Sequence, residues 1–328
     1  MTSLPWISHY GCHYVVHGDD ITSDSNGEDC YRFVKAAQRF KVVQRTPGIS
    51  TTDLVGRMLL CTKTHFISSL SDMLMEGGDA DPNKVETTGH NDMLQRIHDY
   101  ATDESGHQPA VEVWTWRGPD EAKLNNNSDG SGQFEQLVRG MGQKHTQRLV
   151  YVDGGFDLFS SGHIEFLRRV NELEKGDAYI IAGVQDDISI NHQKGFNYPI
   201  MNIYERGLCV LQCKYVSAVI FSAPFSPDEA FLTKMPLGRI AAVYHGPTAF
   251  TNLTDDPYVD AKKMGVFRET GPHAFKHVNA GEVVQRILRS REAFAERQLR
   301  KEAKAIGEYE VWQREEEGAK SEVVNSLA

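Results

Sequence analysis

At 328 residues, with 40% hydrophobic and 24% charged residues, the chain has an ordinary globular composition and the length of about two domains. A net charge of −10 and a pI near 5.7 exclude the basic footprint that sequence-independent nucleic-acid binding needs. Five cysteines at irregular spacing exclude a disulfide framework. With no signal peptide and no apolar run near the ~20 residues of a membrane span, a cytoplasmic chain without membrane insertion is expected.

In chain order, a first segment, 1–70, opens with the β-branched run Tyr14-Val15-Val16, which ends at His17-Gly18-Asp19-Asp20. Helix is predicted over Tyr31–Ala37, strand over Lys41–Val43, and helix again over Thr51–Leu60, where Leu54, Val55, Met58 and Leu59 recur at helical spacing behind a Ser50 or Thr51 cap. His9, Cys12, His13 and His17 are close in sequence but sit on a short alternating stretch where they cannot all converge, so no metal site is expected. The segment 71–147 is rich in turn formers, with MEGGDADPNK and NNNSDGSG as examples, and reads as a partly disordered linker. Met93–Tyr100 (helix) and Val111–Trp116 (alternating strand) are its two ordered candidates.

From Arg148 the pattern changes. Buried-strand runs at Leu149–Val152, Ala178–Val184, Val216–Phe221 and Ile240–Tyr244 alternate with helical stretches at His163–Leu173, Ile203–Leu211 and Pro227–Leu232. Such alternation predicts an α/β domain with a parallel sheet, placed over 148–281. A long helix and tail with mixed charges follow over 282–328, predicted helical from Glu282 to Glu317. Their interspersed Arg and Glu lack the basic face of a membrane-surface helix. Cys209 and Cys213, four apart on one helix, read as buried thiols.

An internal repeat links the ends of the chain. His17-Gly18 recurs as His245-Gly246, 228 residues later (245 − 17), and Asp29-Cys30-Tyr31 as Asp256-Pro257-Tyr258, 227 later (256 − 29). Val55-Gly-Arg-Met-Leu59 recurs as Val284-Gln-Arg-Ile-Leu288, 229 later (284 − 55). At this offset the counterpart of 149–244 runs from about −79 to 16, so most of it falls before residue 1 and the first copy is expected to be partial.

The loop Asp153-Gly-Gly-Phe-Asp-Leu-Phe-Ser-Ser-Gly-His163 lies between a predicted strand and a helix N-terminus. Unpaired amides and the helix dipole favour a phosphate there, and Gly154, Gly155 and Gly162 allow close backbone approach; a tight turn with a surface histidine is the alternative. YVDGGFDLFSSGHIEFL resembles the HxGH loop of the cytidylyltransferases. The stretch Lys194–Arg206 (KGFNYPIMNIYER) is similar to their central segment, and Arg45–Asp53 (RTPGISTTD) to their RTxGxST signature. The tandem arrangement resembles that of the ethanolamine-phosphate cytidylyltransferases.

The resemblance implies a Rossmann-like nucleotidyltransferase domain with a parallel sheet, plus a partial second copy at the N-terminus. It also implies transfer of a cytidylyl group from CTP to phosphoethanolamine, giving CDP-ethanolamine and pyrophosphate for phosphatidylethanolamine synthesis. Mg²⁺ is expected with CTP, no metal is held by protein side chains alone, and a homodimer is open. By resemblance His163 is the second histidine of HxGH and Lys194 the family lysine. Gly155 and Phe156 lie against the nucleotide, Asp157 is a substrate-side acid, and His245-Gly246 lies near cytosine and ribose. Arg45, Thr46, Gly48, Ser50, Thr51 and Thr52 carry the triphosphate signature. Ser160 stands where the first histidine belongs, and serine cannot carry an imidazolium's charge. Opposite Ser50–Thr52 the second copy has Asn279-Ala280-Gly281, with no hydroxyl. Turnover by this chain alone is therefore expected to be small. A CTP-binding chain without turnover and a cytidylyltransferase for another phosphate monoester are the alternatives.

Overall fold

Three uninterrupted apolar runs, Leu149–Val152, Tyr179–Val184 and Ala218–Phe221, become adjacent parallel strands with almost no exposed surface, as a sheet covered on both faces demands. The computed structural model describes residues 3–19, 22–24, 28–44, 50–75, 88–103, 105–108, 110–119, 132–144, 146–247, 256–292 and 296. The chain falls into two units, residues 1–53 with 290–328 and residues 54–289, each described here by itself.

In the smaller unit, α1 (Leu4–His9) starts behind a Ser3 cap with proline in its first turn, β1 (Val15–His17) pairs in parallel with β2 (Phe40–Val42), and α2 (Arg32–Ala36) forms the crossover. α3 (Thr51–Leu60) begins in this unit and belongs to the larger one from Leu54 onward.

The larger unit then runs α4 (Leu70–Met75), α5 (Thr88–Tyr100), β3 (Glu112–Arg117), β4 (Gln133–Val138), β5 (Arg148–Gly154), α6 (Ser161–Leu173), β6 (Ala178–Gln185), α7 (Asp187–Lys194) and α8 (Ile203–Leu211). It closes with β7 (Ala218–Ala223), α9 (Glu229–Lys234), β8 (Ala242–His245), α10 (Val259–Lys263), β9 (Phe267–Glu269) and α11 (Ala280–Arg289). The seven strands lie in the order β4-β3-β7-β6-β5-β8-β9, all parallel except β4. Period-two alternation sorts the side chains: Val150, Val152, Ile180 and Phe221 meet α6 and α8 on one face, while Tyr151, Ile181, Ile220 and Val243 meet α9 and α10 on the other. The order turns back at β5, between β6 and β8, and in an open α/β sheet that reversal opens the crevice at the carboxyl ends where ligands bind.

One expectation needs correcting. The stretch 71–147 is not merely a linker: β3 extends the parallel sheet beside β7, β4 covers its edge antiparallel, and α4 and α5 bury Leu70, Ile97 and Ala101 in the core. Turn-rich flanks masked the strand in composition, yet Trp116 is 7% exposed and stacks among Phe134 and Phe231. The sheet thus begins at residue 112 rather than 148, and the first segment gives up residues 54–70 to the larger unit. Of the helix expected over 282–317, α11 covers the part to Arg289 and residues 291, 292 and 296 are also helical; 293–295 and 297–317 lie outside the described residues.

The matched sequences adopt matched local geometry. β1 pairs with β2 as Val15↔Phe40 and His17↔Val42; β8 pairs with β9 as Val243↔Phe267 and His245↔Glu269. Asp29 accepts the Tyr31 amide and pairs with Lys35, which lies over Phe40; Asp256 accepts the Tyr258 amide and pairs with Lys262, which lies over Phe267. His17 and Tyr31 have ring centroids 4.8 Å apart, His245 and Tyr258 5.3 Å.

Candidate active site

β5 ends at Gly154 and α6 starts at Ser161, so the intervening loop sits at the crevice. The loop is strained: Phe156 and Leu158 hold φ of 48° and 47°, a left-handed conformation that costs a non-glycine residue of order 1 kcal/mol or more. Phe156, 4% exposed, offsets part of this by filling the core. Gly162 has no room for a side chain, because a Cβ would meet the Val278 carbonyl oxygen at 2.4 Å. A Cβ on Gly246 would stand 3.3 Å from Phe166 of α6, so the β8 end also packs closely on this helix.

Ser160 is the N-cap of α6. Its backbone N–H donates to His163 Nδ1 at 3.1 Å, so the imidazole proton lies on Nε2. Phe159 stacks on the ring at 5.4 Å between centroids. Loss of hydration, reinforced by the Lys194 charge, pushes His163 down to about 4, so it is a neutral Nε2–H donor at physiological pH. Lys194 ends α7 and is exposed as a residue; partial loss of hydration draws its ammonium below the usual range, while Asp157 pulls it back up. Ser160 Oγ lies 3.3 Å from both His163 Nδ1 and the Val278 carbonyl, bracing the first turn of α6.

Asp157 is placed differently from its expected role. It is 2% exposed, and its two carboxylate oxygens accept the Ile200 and Met201 amides at 2.8 and 2.9 Å. It pins the 199–201 turn to the glycine loop rather than standing open to a ligand. Gly155 shares this fixing through its carbonyl, which accepts Arg206 at 2.6 Å. Arg206, wholly buried, also holds the Gln185 carbonyl and Asp187, each at 2.7 Å. Ser50, Thr51 and Thr52 lie at the start of α3, with Ser50 Oγ accepting the Asp53 amide at 3.4 Å. Arg45, Thr46 and Gly48 lie outside the described residues.

A second cluster was not singled out from sequence. Asp153, at the end of β5, is 8% exposed; Tyr258 donates its hydroxyl to Oδ1, while Oδ2 is buried with no hydrogen-bond partner. Burial lifts this carboxyl to about 7 against the pull of that hydrogen bond. His245 Nδ1 lies 3.4 Å from the same hydroxyl, so the cluster joins the β5 and β8 ends. The available signal was an acid directly after four apolar strand residues, a position that burial penalises unless something uses the charge.

Comparison with known proteins bears on the same residues. A cytidylyltransferase-like family model matches residues 151–287, from β5 through α11. The chain is 35% identical over 319 residues to an ethanolamine-phosphate cytidylyltransferase of Mus musculus, covering 96% of this chain and 74% of that one. It is 33% identical to the Dictyostelium discoideum ethanolamine-phosphate cytidylyltransferase over 92% of this chain and 74% of that one. Similarity to choline-phosphate cytidylyltransferase A of Rattus norvegicus, 33% identical, covers only 51% of this chain and 44% of that one. Likeness that spans nearly the whole chain places this chain in the ethanolamine-phosphate cytidylyltransferase family.

Proposed function

We propose that the crevice of the larger unit binds CTP and phosphoethanolamine and transfers the cytidylyl group, releasing pyrophosphate. The observation that carries this reading is the pairing of two sites at the sheet reversal. A neutral His163 Nε2–H beside Lys194 suits a triphosphate, and an aromatic-flanked carboxylate with one spare buried oxygen, Asp153, suits a small ammonium. A phosphate oxygen of phosphoethanolamine attacks the α-phosphorus of CTP in line, and the bond to the β-phosphate oxygen breaks. His163 donates to a non-bridging α-phosphate oxygen as charge develops there. Lys194 neutralises the departing pyrophosphate, and the Gly155–Phe156 loop and His245-Gly246 border the nucleotide. Mg²⁺ would arrive on the CTP phosphates, neutralising their charge. Among the described residues there is no group of three or more His, Cys, Asp or Glu side chains that could hold a metal ion.

Ser160 favours a second reading, CTP binding with little turnover. Loss of one donor at such a site costs roughly 100- to 1000-fold in rate. Calorimetric CTP binding together with pyrophosphate and CDP-ethanolamine formation separates the two readings. Binding with slow product formation supports transfer, binding without product supports the second reading, and no binding at millimolar CTP refutes both.

We read β1–α2–β2 of the smaller unit, with α3, as the rear part of a second domain of the same kind, on the strength of the matched registers and Asp–Tyr–Lys contacts. A cytoplasmic location and a homodimer complete the proposal. Among the described residues no helix is long and apolar enough to cross a membrane.

A further inference from the structure

The loop after Lys194 is unusual in what it shows to solvent and in how it is held. Phe196 is 80% exposed with φ of 47°, so the loop does not fold around it as a core residue, and its conformation must be imposed from outside. The restraint comes from residues 57–67, the end of α3 and the chain that follows it. Arg57 donates to the Ile200 carbonyl at 2.9 Å and forms a two-pronged, buried pair with Glu205 at 2.7 and 2.9 Å. Asn197 donates back to the Arg57 carbonyl at 2.7 Å. His65 Nε2 donates to the Pro199 carbonyl at 2.8 Å, and the Ile67 amide donates to Asp187 at 2.8 Å.

Asn191, three residues before Lys194, is a further point where this segment meets the lysine's own loop. Its Nδ2 donates to the Phe196 and Tyr198 carbonyls at 2.9 and 2.7 Å, with the Gly195 carbonyl at 3.4 Å. Its Oδ1 accepts the Lys63 ammonium at 2.9 Å. An ammonium can only donate, so Lys63 fixes which end of the amide faces the loop, and its charge polarises Nδ2 into a stronger donor. Lys63 itself is exposed and serves no packing role.

We propose that residues 57–67 form a strap that positions Lys194 for the triphosphate, with Asn191, oriented by Lys63, as the positioning residue. The functional part of this rests on Lys194 contacting CTP as proposed above. The test is a mutant cycle on the full chain. CTP affinity is measured by calorimetry for the parent, Asn191→Ala, Lys63→Met and Lys194→Ala, and for each strap variant combined with Lys194→Ala. Thermal melting accompanies each variant. Asn191→Ala is expected to weaken CTP about tenfold and the exposed-site variant Lys63→Met about threefold, and neither should weaken it further once Lys194 is gone. Losses of the same size in the Lys194→Ala background, or unchanged affinity in Asn191→Ala while Lys194→Ala weakens it, would overturn the proposal. A nucleotide-free readout separates this from the functional reading: the pH midpoint for acylation of Lys194, followed by peptide mass spectrometry. It is expected to shift in both strap variants, because a loosened loop changes the distance of the ammonium from Asp157 and Arg206. If Lys194→Ala leaves CTP affinity unchanged, the role of Lys194 in binding falls. A shifted midpoint then still supports the strap, and an unshifted one refutes it.

Discussion

At Asp153 the cost of burying a charge and the use of that charge meet in one side chain. Folding lifts its carboxyl from an ordinary 3.8 to about 7, so between those values the folded chain holds a proton that the unfolded chain has lost. Stability therefore falls as pH rises from about 4 to about 7, by on the order of 4 kcal/mol for a shift of this size. Asp153→Asn keeps an acceptor for Tyr258 but removes the ionisation. It should melt higher than the parent at pH 8, with the advantage shrinking toward pH 4, in thermal scans across pH. The same substitution should raise the KM for phosphoethanolamine at least tenfold at pH 8. In the parent that KM should climb as pH drops below about 7, because the ammonium needs the carboxylate. A parent KM that ignores pH, or an Asp153→Asn enzyme with normal KM, would remove Asp153 from the amine site. His163 sits on the other side of this balance: loss of hydration keeps its ring neutral, so the donor role proposed for it needs no prior protonation.

Among the elements, α6 and α8 organise the crevice through backbone contacts. Gly162→Ala would drive a Cβ against the Val278 carbonyl, and displacement of the 275–278 turn should cost roughly 1–3 kcal/mol in denaturant unfolding. Arg206→Met leaves Asp187 buried without its cation and strips three carbonyls of their donor. About 3–5 kcal/mol of lost stability is expected, and a loss below 1 kcal/mol would show that the network is not holding the loop. Much of this layer was legible in sequence: the strands at 149–152 and 178–184 and the helices at 163–173 and 203–211 follow from apolar period and length. What escaped was set by tertiary contact. β4 alternates only weakly and is a strand because β3 offers it an edge. Asp157 looks like a free acid in sequence, and only the approach of the Ile200 and Met201 amides makes it a clamp. Arg206 and Glu205 look like surface charges on a helix that the fold buries almost entirely.

For the molecule as a whole, family membership comes with departures from the family pattern, at Ser160 and at Asn279-Ala280-Gly281. The chain keeps the glycine loop, His163 and Lys194, and in two places it keeps the His–Tyr contact at a strand end, but it has Ser160 in the loop where the resemblance calls for histidine. On the function proposed above, the crevice carries out cytidylyl transfer, and the missing histidine at position 160 is the departure that a single substitution can restore. The direct measurement is the initial rate of pyrophosphate release from saturating CTP and phosphoethanolamine, for the parent and for Ser160→His. The cap substitution itself costs about 1 kcal/mol of stability, which a melting curve will show. The account predicts slow release by the parent and a gain of about 100-fold in Ser160→His. A Ser160→His chain that folds and binds CTP as the parent does, yet releases pyrophosphate no faster, would contradict it.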